Sequence, residues 1–312
     1  MSHGIHRGRF APSPTGAMHL GLARTALLGW LTTRAAGGAF IVRMEDIDTP
    51  RVVPGAAARM LDDLHFLGLT WDEGPDVGGP YGPYVQSERY ALYADALGRL
   101  RTKGLVYPCS CSRREVAIAS APHGPSDFGP VYPGTCRSAP LRPDGPLALR
   151  FRVPDALPIV HDQRLGPLTP SARGDFIVQR ADGTVSYQLA VVVDDIAMRI
   201  TDVLRGDDLS GCTGWQAALY EALDAPVPRF LHVPLLLGPD GKRLAKREGA
   251  KPVAELRALG VSAARIVGAL AASCGLVEAG AVLMPGDLLR DFAPDRIVET
   301  PVDFVTLLRV DT

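Results

Sequence analysis

At 312 residues the chain is long enough for two or three domains, each with its own core. Hydrophobic residues make up 46% and charged residues 21%, with a net charge of −1. That composition is ordinary for a soluble globular protein, and nucleic-acid contact would need a local basic face rather than a bulk positive charge. The opening Met1-Ser-His-Gly-Ile-His-Arg7 lacks the apolar core of a signal peptide, and no apolar run is long enough to span a bilayer, so a cytoplasmic location is expected. The cysteines are Cys109, Cys111, Cys136, Cys212 and Cys274; an odd count with three close in sequence argues against a secreted disulfide framework.

In chain order, Arg7–Phe10 reads as a short buried strand and Leu20–Arg34 as a helix ended by Gly37-Gly38. Ala39–Arg43 is a second strand, with the acidic stretch Glu45–Asp48 beyond its carboxyl end. Pro54–Leu67 and Gln86–Gly104 read as helices. This alternation predicts an α/β fold with a doubly wound parallel sheet, whose ligands sit outside the carboxyl ends of the strands. From Pro108 to about Asp182 the chain is dense in Pro, Gly, Ser and Arg and helical periodicity fades, which predicts an inserted domain of short strands and loops. Alternation resumes near Thr184, with Gln188–Val193 apolar and Gly214–Leu223 helical. Asp194-Asp195 after that apolar run reads as an acidic strand end or helix cap, with metal ligation the minor alternative. Leu231–Leu237 is a final strand candidate, and Val253–Leu259, Ser262–Cys274 and Pro285–Phe292 form a helical tail. The domains expected are 1–107 and 184–250 for the two halves of the sheet domain, 108–183 for the insert and 251–312 for the tail.

The junction Arg9-Phe-Ala-Pro-Ser-Pro-Thr-Gly16-Ala-Met-His19-Leu-Gly21 joins a strand end to a helix start through a Pro- and Gly-rich turn. Unpaired N–H groups and the positive end of the helix dipole favour a phosphate or nucleotide there. His19 can donate to a phosphate oxygen, and Gly16 and Gly21 let a ligand approach the backbone. The spacing is neither that of a phosphate loop ending in Gly-Lys-Ser/Thr nor that of the three-glycine dinucleotide fingerprint. Arg9 and Glu45 fall at the ends of the first two strands. Such a pair suits an α-carboxylate and an α-ammonium, although a salt bridge closing the sheet edge is an equal reading on spacing alone. The cationic run Gly241–Arg247 suits a triphosphate that gains charge in the transition state, or is a solvated basic turn. Cys109-Ser-Cys111 with Cys136 is a candidate zinc site, with small buried thiols as the alternative and His123 as a conventional fourth ligand.

The whole stretch from Arg9 to Leu28 resembles the His-x-Gly signature segment of class I aminoacyl-tRNA synthetases, and specifically the glutamyl branch. Arg43-Met-Glu45-Asp-Ile-Asp48, the blocks around Tyr187 and Arg205, and Gly241–Arg247 are similar to the same branch, from Arg7 to about Lys251. The resemblance implies a glutamate site formed by Arg9, Phe10, Ala11, Pro12, Ser13, Glu45, Tyr187 and Arg205, with Arg205 facing the substrate side chain. It implies ATP contacts from His19, Gly21, Arg243 and Lys246, of which His19 and Lys246 would be catalytic, with Mg2+ at the triphosphate. Arg243 and Ala245 depart from the usual Lys and Ser of that mobile loop, which bears on rate. Tyr132-Pro-Gly-Thr-Cys136 resembles the Tyr-x-x-x-Cys half-site of the glutamyl-queuosine branch, implying structural Zn2+ held by Cys109, Cys111, Tyr132 and Cys136.

The same branch, together with an end short of any anticodon-binding region, implies ATP-dependent activation of L-glutamate and its transfer to queuosine in the anticodon loop of tRNA(Asp), by a monomer with no membrane partner. The competing expectations are a shortened glutamyl enzyme charging the 3′ end of tRNA(Glu), and a non-catalytic amino-acid- or RNA-binding module.

Overall fold

The structure, a computed structural model, describes residues 6–120, 130–138, 145–236, 251–298, 300 and 302–308. It begins β1 (Arg7–Phe10), α1 (Leu20–Ala35), β2 (Ala39–Val42), α2 (Ala56–Phe66) and α3 (Tyr90–Thr102). There follow β3 (Val106–Cys109), α4 (Arg113–Ser120), β4 (Ala148–Phe151), the two-residue strands β5 (His161–Asp162) and β6 (Gly166–Pro167), and β7 (Ile177–Gln179). The rest is α5 (Tyr187–Ala197), β8 (Asp202–Gly206), α6 (Thr213–Ala222), β9 (Arg229–Val233), α7 (Val253–Ala258), α8 (Ala263–Ala272), α9 (Pro285–Leu288) and α10 (Phe304–Leu307). Two compact units emerge: 1–86 with 200–208 and 229–312, and 87–199 with 209–228.

In the first unit β2, β1, β8 and β9 lie side by side, all parallel, as the α/β reading predicts. The register places Arg9 beside Ile41, Gly8 beside Asp202 and Arg205 beside His232. Side chains alternate between faces along a strand. Phe10, Phe40 and Val42 join Met18, Leu27 and Leu31 around α1, while Leu204, Leu231 and Val233 pack with Leu28 of α1. The residues between them, Arg9, Ile41, Val203, Arg205, Phe230 and His232, therefore share the opposite face. Gly8 suits this layering: a Cβ there would collide with Thr33 Oγ1 of α1.

Asp63, on α2, is only 3% exposed, and burial pushes its carboxyl up to about 6 despite nearby Arg257. The folded state thus binds this proton more tightly than the unfolded chain, whose aspartates titrate near 4. Its contribution to stability is greatest below about pH 4 and falls as the pH rises to about 6. Asp63→Asn is expected to remove that fall, on the order of 2–3 kcal/mol. Urea midpoints of both proteins measured from pH 4 to 7 check it, and parallel pH profiles would contradict it.

In the second unit β3, β4 and β7 form an antiparallel sheet and β5 and β6 a small hairpin. Phe151, Phe176 and Trp215 stack in series, with ring centroids 5.4 and 4.7 Å apart. Amid the expected strands and loops, the described residues include the helix α4, whose start carries a reciprocal cap. Glu115 N donates to Ser112 Oγ at 3.3 Å, and Ser112 N donates to Glu115 Oε2 at 2.8 Å. Ser112-Arg-Arg-Glu115 is a capping box legible in the sequence.

Two local readings change. The expected helix 86–104 divides into a 3-10 turn at Gln86–Glu88 and α3. The apolar run 188–193 belongs to α5, whose N-cap Ser186 accepts from Leu189 N, so Asp194 and Asp195 are neither a strand end nor a cap. They are buried on the helix. Asp194 accepts from Arg89 Nε at 2.6 Å and Tyr93 Oη at 3.0 Å, and Asp195 from Tyr220 Oη at 3.3 Å. The expected tail helices appear as α7, α8 and α9.

Candidate active site

The turn between β1 and α1 is tied to the acidic segment after β2. Arg43 N donates to Phe10 O at 3.0 Å and Glu45 N to Pro12 O at 2.9 Å. Parallel neighbours thereby bring the Ala11–Gly16 turn and Glu45 to one carboxyl edge. Phe10 packs in the core around α1, so its part in any ligand contact would come through its backbone. Pro12 is buried and Ser13 exposed.

His19 caps α1. Its Nδ1 accepts from Leu22 N at 3.1 Å, in the role that Ser, Thr, Asp or Asn usually fills. In the neutral ring the proton is then on Nε2, which makes the exposed edge a donor. Gly21 makes room for this ring, since a Cβ there would sit 3.2 Å from His19 Nδ1. The arrangement suits an anion: a helix start with an imidazole N–H beside it.

Arg9 and Glu45 are buried polar residues at 6% and 8% exposure. Arg9 Nη1 donates to Leu204 O of β8 at 3.2 Å, and Arg43 Nη2 donates to Glu45 Oε1 at 3.0 Å. Arg205, 4% exposed on β8, donates from Nε to His232 Nε2 of β9 at 3.0 Å. Its guanidinium carbon also lies 5.1 Å from the centre of the Phe230 ring. Arg9, Arg205 and His232 share the face away from α1, and the two guanidiniums there are able to pair with carboxylates. His232 went unnoticed in the sequence, although the alternation of Arg229-Phe-Leu-His-Val233 marks it as facing Phe230's side of the sheet. Tyr187 opens α5 in the second unit and is 40% exposed. Arg243, Lys246 and His123 lie outside the described residues.

In the second unit Cys109, Cys111 and Cys136 have sulfurs all within 4.8 Å of one another, the ligand cluster expected from the sequence. Cys111 and Cys136 Sγ are 3.5 Å apart, and Tyr132 Oη lies 3.4 Å from Cys109 Sγ and 3.8 Å from Cys111 Sγ. Tetrahedral thiolate ligands about 2.3 Å from zinc stand roughly 3.8 Å apart, so this donor set fits such an ion. Burial opposes ionisation of Cys136, but hydrogen bonds from Tyr132 and the Ser110 backbone outweigh it and bring the thiol down to about 7. Burial and the Cys136 contact push Cys111 up to about 11, and burial with the Cys109 contact raises Tyr132. Arg150 already donates from Nε to Cys109 Sγ at 3.2 Å, but one guanidinium does not offset several anions crowded this closely, and a further cation is needed before all can ionise. Around the cluster Tyr107 and Val116 supply a small apolar core.

Residues 6–273 match the family described as tRNA synthetases class I (E and Q), catalytic domain. The chain is 55% identical over 307 residues to a glutamyl-Q tRNA(Asp) synthetase of Symbiobacterium thermophilum, covering 95% of this chain and 94% of that relative. It is 45% identical over 258 residues to a glutamate–tRNA ligase of Anaeromyxobacter sp., covering 81% of this chain but 55% of the ligase. Among solved structures, glutamate-tRNA synthetase from Elizabethkingia anophelis superposes with a TM-score of 0.85 at 28% identity, over 98% of this chain and 69% of that one.

Proposed function

The chain belongs to the class I tRNA synthetase family of the E and Q type, and from that premise we propose that it activates L-glutamate with ATP and transfers it to queuosine in the anticodon loop of tRNA(Asp). One observation carries this reading over 3′-end charging: the chain is 55% identical over 307 residues to the glutamyl-Q relative, against 45% over 258 residues to the glutamate–tRNA ligase.

In the first step an oxygen of the glutamate α-carboxylate attacks the α-phosphorus of ATP in line, and pyrophosphate leaves. In the second a hydroxyl of the queuosine cyclopentenediol attacks the acyl carbon, loses its proton, and AMP leaves. No side-chain nucleophile is required; positioning and charge stabilisation do the chemistry. Arg9 pairs with the α-carboxylate, Glu45 with the ammonium, and Arg205 with the side-chain carboxylate, while Tyr187 donates a hydrogen bond to the substrate and Ala11–Ser13 line the pocket. His19 donates from Nε2 to the phosphates beside Gly21, with Arg243 and Lys246 adding cationic contacts and Mg2+ accompanying ATP. The insert 108–183 divides the two sheet halves 1–107 and 184–250, with the helical tail 251–312 following. The enzyme acts in the cytoplasm as a monomer.

The deciding experiment is transfer of labelled glutamate to purified tRNA(Asp) with and without queuosine, beside tRNA(Glu). Transfer only to the queuosine-containing tRNA is expected. Equal transfer to tRNA(Asp) lacking queuosine, or loss of transfer after enzymatic trimming of the 3′ end, would favour 3′ charging.

Cys109, Cys111, Cys136 and Tyr132 would hold one Zn2+, which pins a segment with little apolar core of its own. Elemental analysis of protein purified without chelator is expected to find one zinc per chain, and Cys111→Ala to lose it. Absence of metal from folded, active protein would refute the site. Full zinc in Tyr132→Phe, with loss in a His123 variant, would reassign the fourth ligand.

A further inference from the structure

We propose that His232 is a positioning residue that sets the enzyme's preference for glutamate by orienting Arg205 through a neutral contact; this rests on the reading of Arg205 as partner of the substrate's side-chain carboxylate. Arg205 and His232 are paired in register on β8 and β9 and project to the same face. His232 is fully buried, and its Nε2 accepts the Arg205 Nε proton at 3.0 Å. An imidazole that accepts at Nε2 is neutral and carries its proton at Nδ1.

The ring is itself held. It stacks on Phe230, with centroids 5.9 Å apart and planes 7° from parallel, and the Arg205 guanidinium carbon lies 5.1 Å from the same Phe230 ring. Arg205 is therefore guided from one edge by a hydrogen bond and across its plane by an aromatic face. Buried arginines are commonly oriented by carboxylates, as Arg89 is by Asp194 and Arg43 by Glu45 in this chain. A carboxylate at 232 would give the same aim but add a negative charge beside the position where the substrate carboxylate must bind. A neutral acceptor fixes the direction of the guanidinium and adds no such charge. Discrimination between glutamate and glutamine depends on that charge, because the amide forms no ion pair.

The test is ATP–pyrophosphate exchange by the full chain with three variants. His232→Leu removes the acceptor, His232→Gln keeps a neutral acceptor near the Nε2 position, and His232→Glu keeps an acceptor but makes it anionic. His232→Leu is expected to raise the KM for glutamate about 10- to 100-fold while leaving the KM for ATP within about twofold, since it loses a hydrogen bond to a charged group. His232→Gln should return to within about threefold of wild type. His232→Glu should lower the ratio of glutamate to glutamine exchange about tenfold or more.

A purely structural role would shift both KM values together and would not be rescued by Gln. Unchanged glutamate KM in His232→Leu, or Gln and Leu variants equally impaired, overturns the inference while leaving wild-type exchange with glutamate intact. Wild-type exchange that prefers another amino acid overturns the functional reading together with it. Should His232→Leu fail to fold, the Gln and Glu variants decide alone: an unaltered amino-acid preference in His232→Glu overturns the proposal.

Discussion

Arg205→Ala is expected to lower kcat/KM for glutamate in ATP–pyrophosphate exchange by about 10³-fold. The side chain is 4% exposed on β8, so its partner carboxylate would be largely dehydrated in the complex. Removing one member of a buried charge pair costs about 2–5 kcal/mol, because the remaining charge stays buried without compensation. The residual activity should be nearly indifferent to the choice between glutamate and glutamine. The KM for ATP is expected to stay close to wild type, because none of the residues proposed to contact the phosphates, His19, Gly21, Arg243 and Lys246, lies on β8. Exchange within tenfold of wild type, with selectivity intact, would remove Arg205 from the substrate site.

Asp194→Ala is expected to destabilise the second unit by about 3–5 kcal/mol. Arg89 and Asp194 both have side chains with 0% exposure and meet at 2.6 Å, and Tyr93 donates to the same carboxylate at 3.0 Å. Deleting the carboxylate takes this anion away from a buried guanidinium and removes the acceptor at Asp194 from the Tyr93 hydroxyl. Urea unfolding followed by near-ultraviolet circular dichroism, which reports the Phe176–Trp215 stack, reads the change. A double variant, Arg89→Met with Asp194→Asn, should recover part of the loss, since both charges are removed together and the amide oxygen, close to the Asp carboxylate in volume, still accepts from Tyr93. A loss below about 1 kcal/mol in the single variant would show that water or a neighbour replaces the carboxylate.

The first unit was largely legible because local signals agree there. Arg7–Phe10 and Ala39–Val42 are short strands, Leu20–Ala35 has a helical repeat, and His19 caps that helix. Arg9, His19 and Glu45 lie within a few residues of strand or helix ends, where position follows from sequence alone. The Cys109–Cys111–Cys136 cluster was legible for a different reason: soft ligands close in sequence have few structural roles besides binding one ion.

The segment 188–193 reads only as apolar in the sequence. Its run of valines suits a buried strand and a buried helix alike, and the arbiter is contact with α3 and α6. Asp194 follows the same logic. Its partner Arg89 stands 105 residues earlier, a separation no window along the chain can bridge. For His232, alternation along the strand gives the face, and only the register against Arg205 reveals its partner.

The alternation along β1, β8 and β9 has a consequence for how this enzyme can change. On the proposed reading, adjacent residues on one strand answer to separate demands: Gly8, Phe10, Leu204, Leu231 and Val233 pack on the helix layer, while Arg9, Arg205 and His232 lie on the face assigned to the ligand. In a library covering these strands, variants that reduce soluble yield and variants that alter amino-acid choice should interleave with a period of two. Redirecting the enzyme toward another amino acid would then be a matter of rewriting one stripe of the sheet, with the scaffold behind it left as it stands.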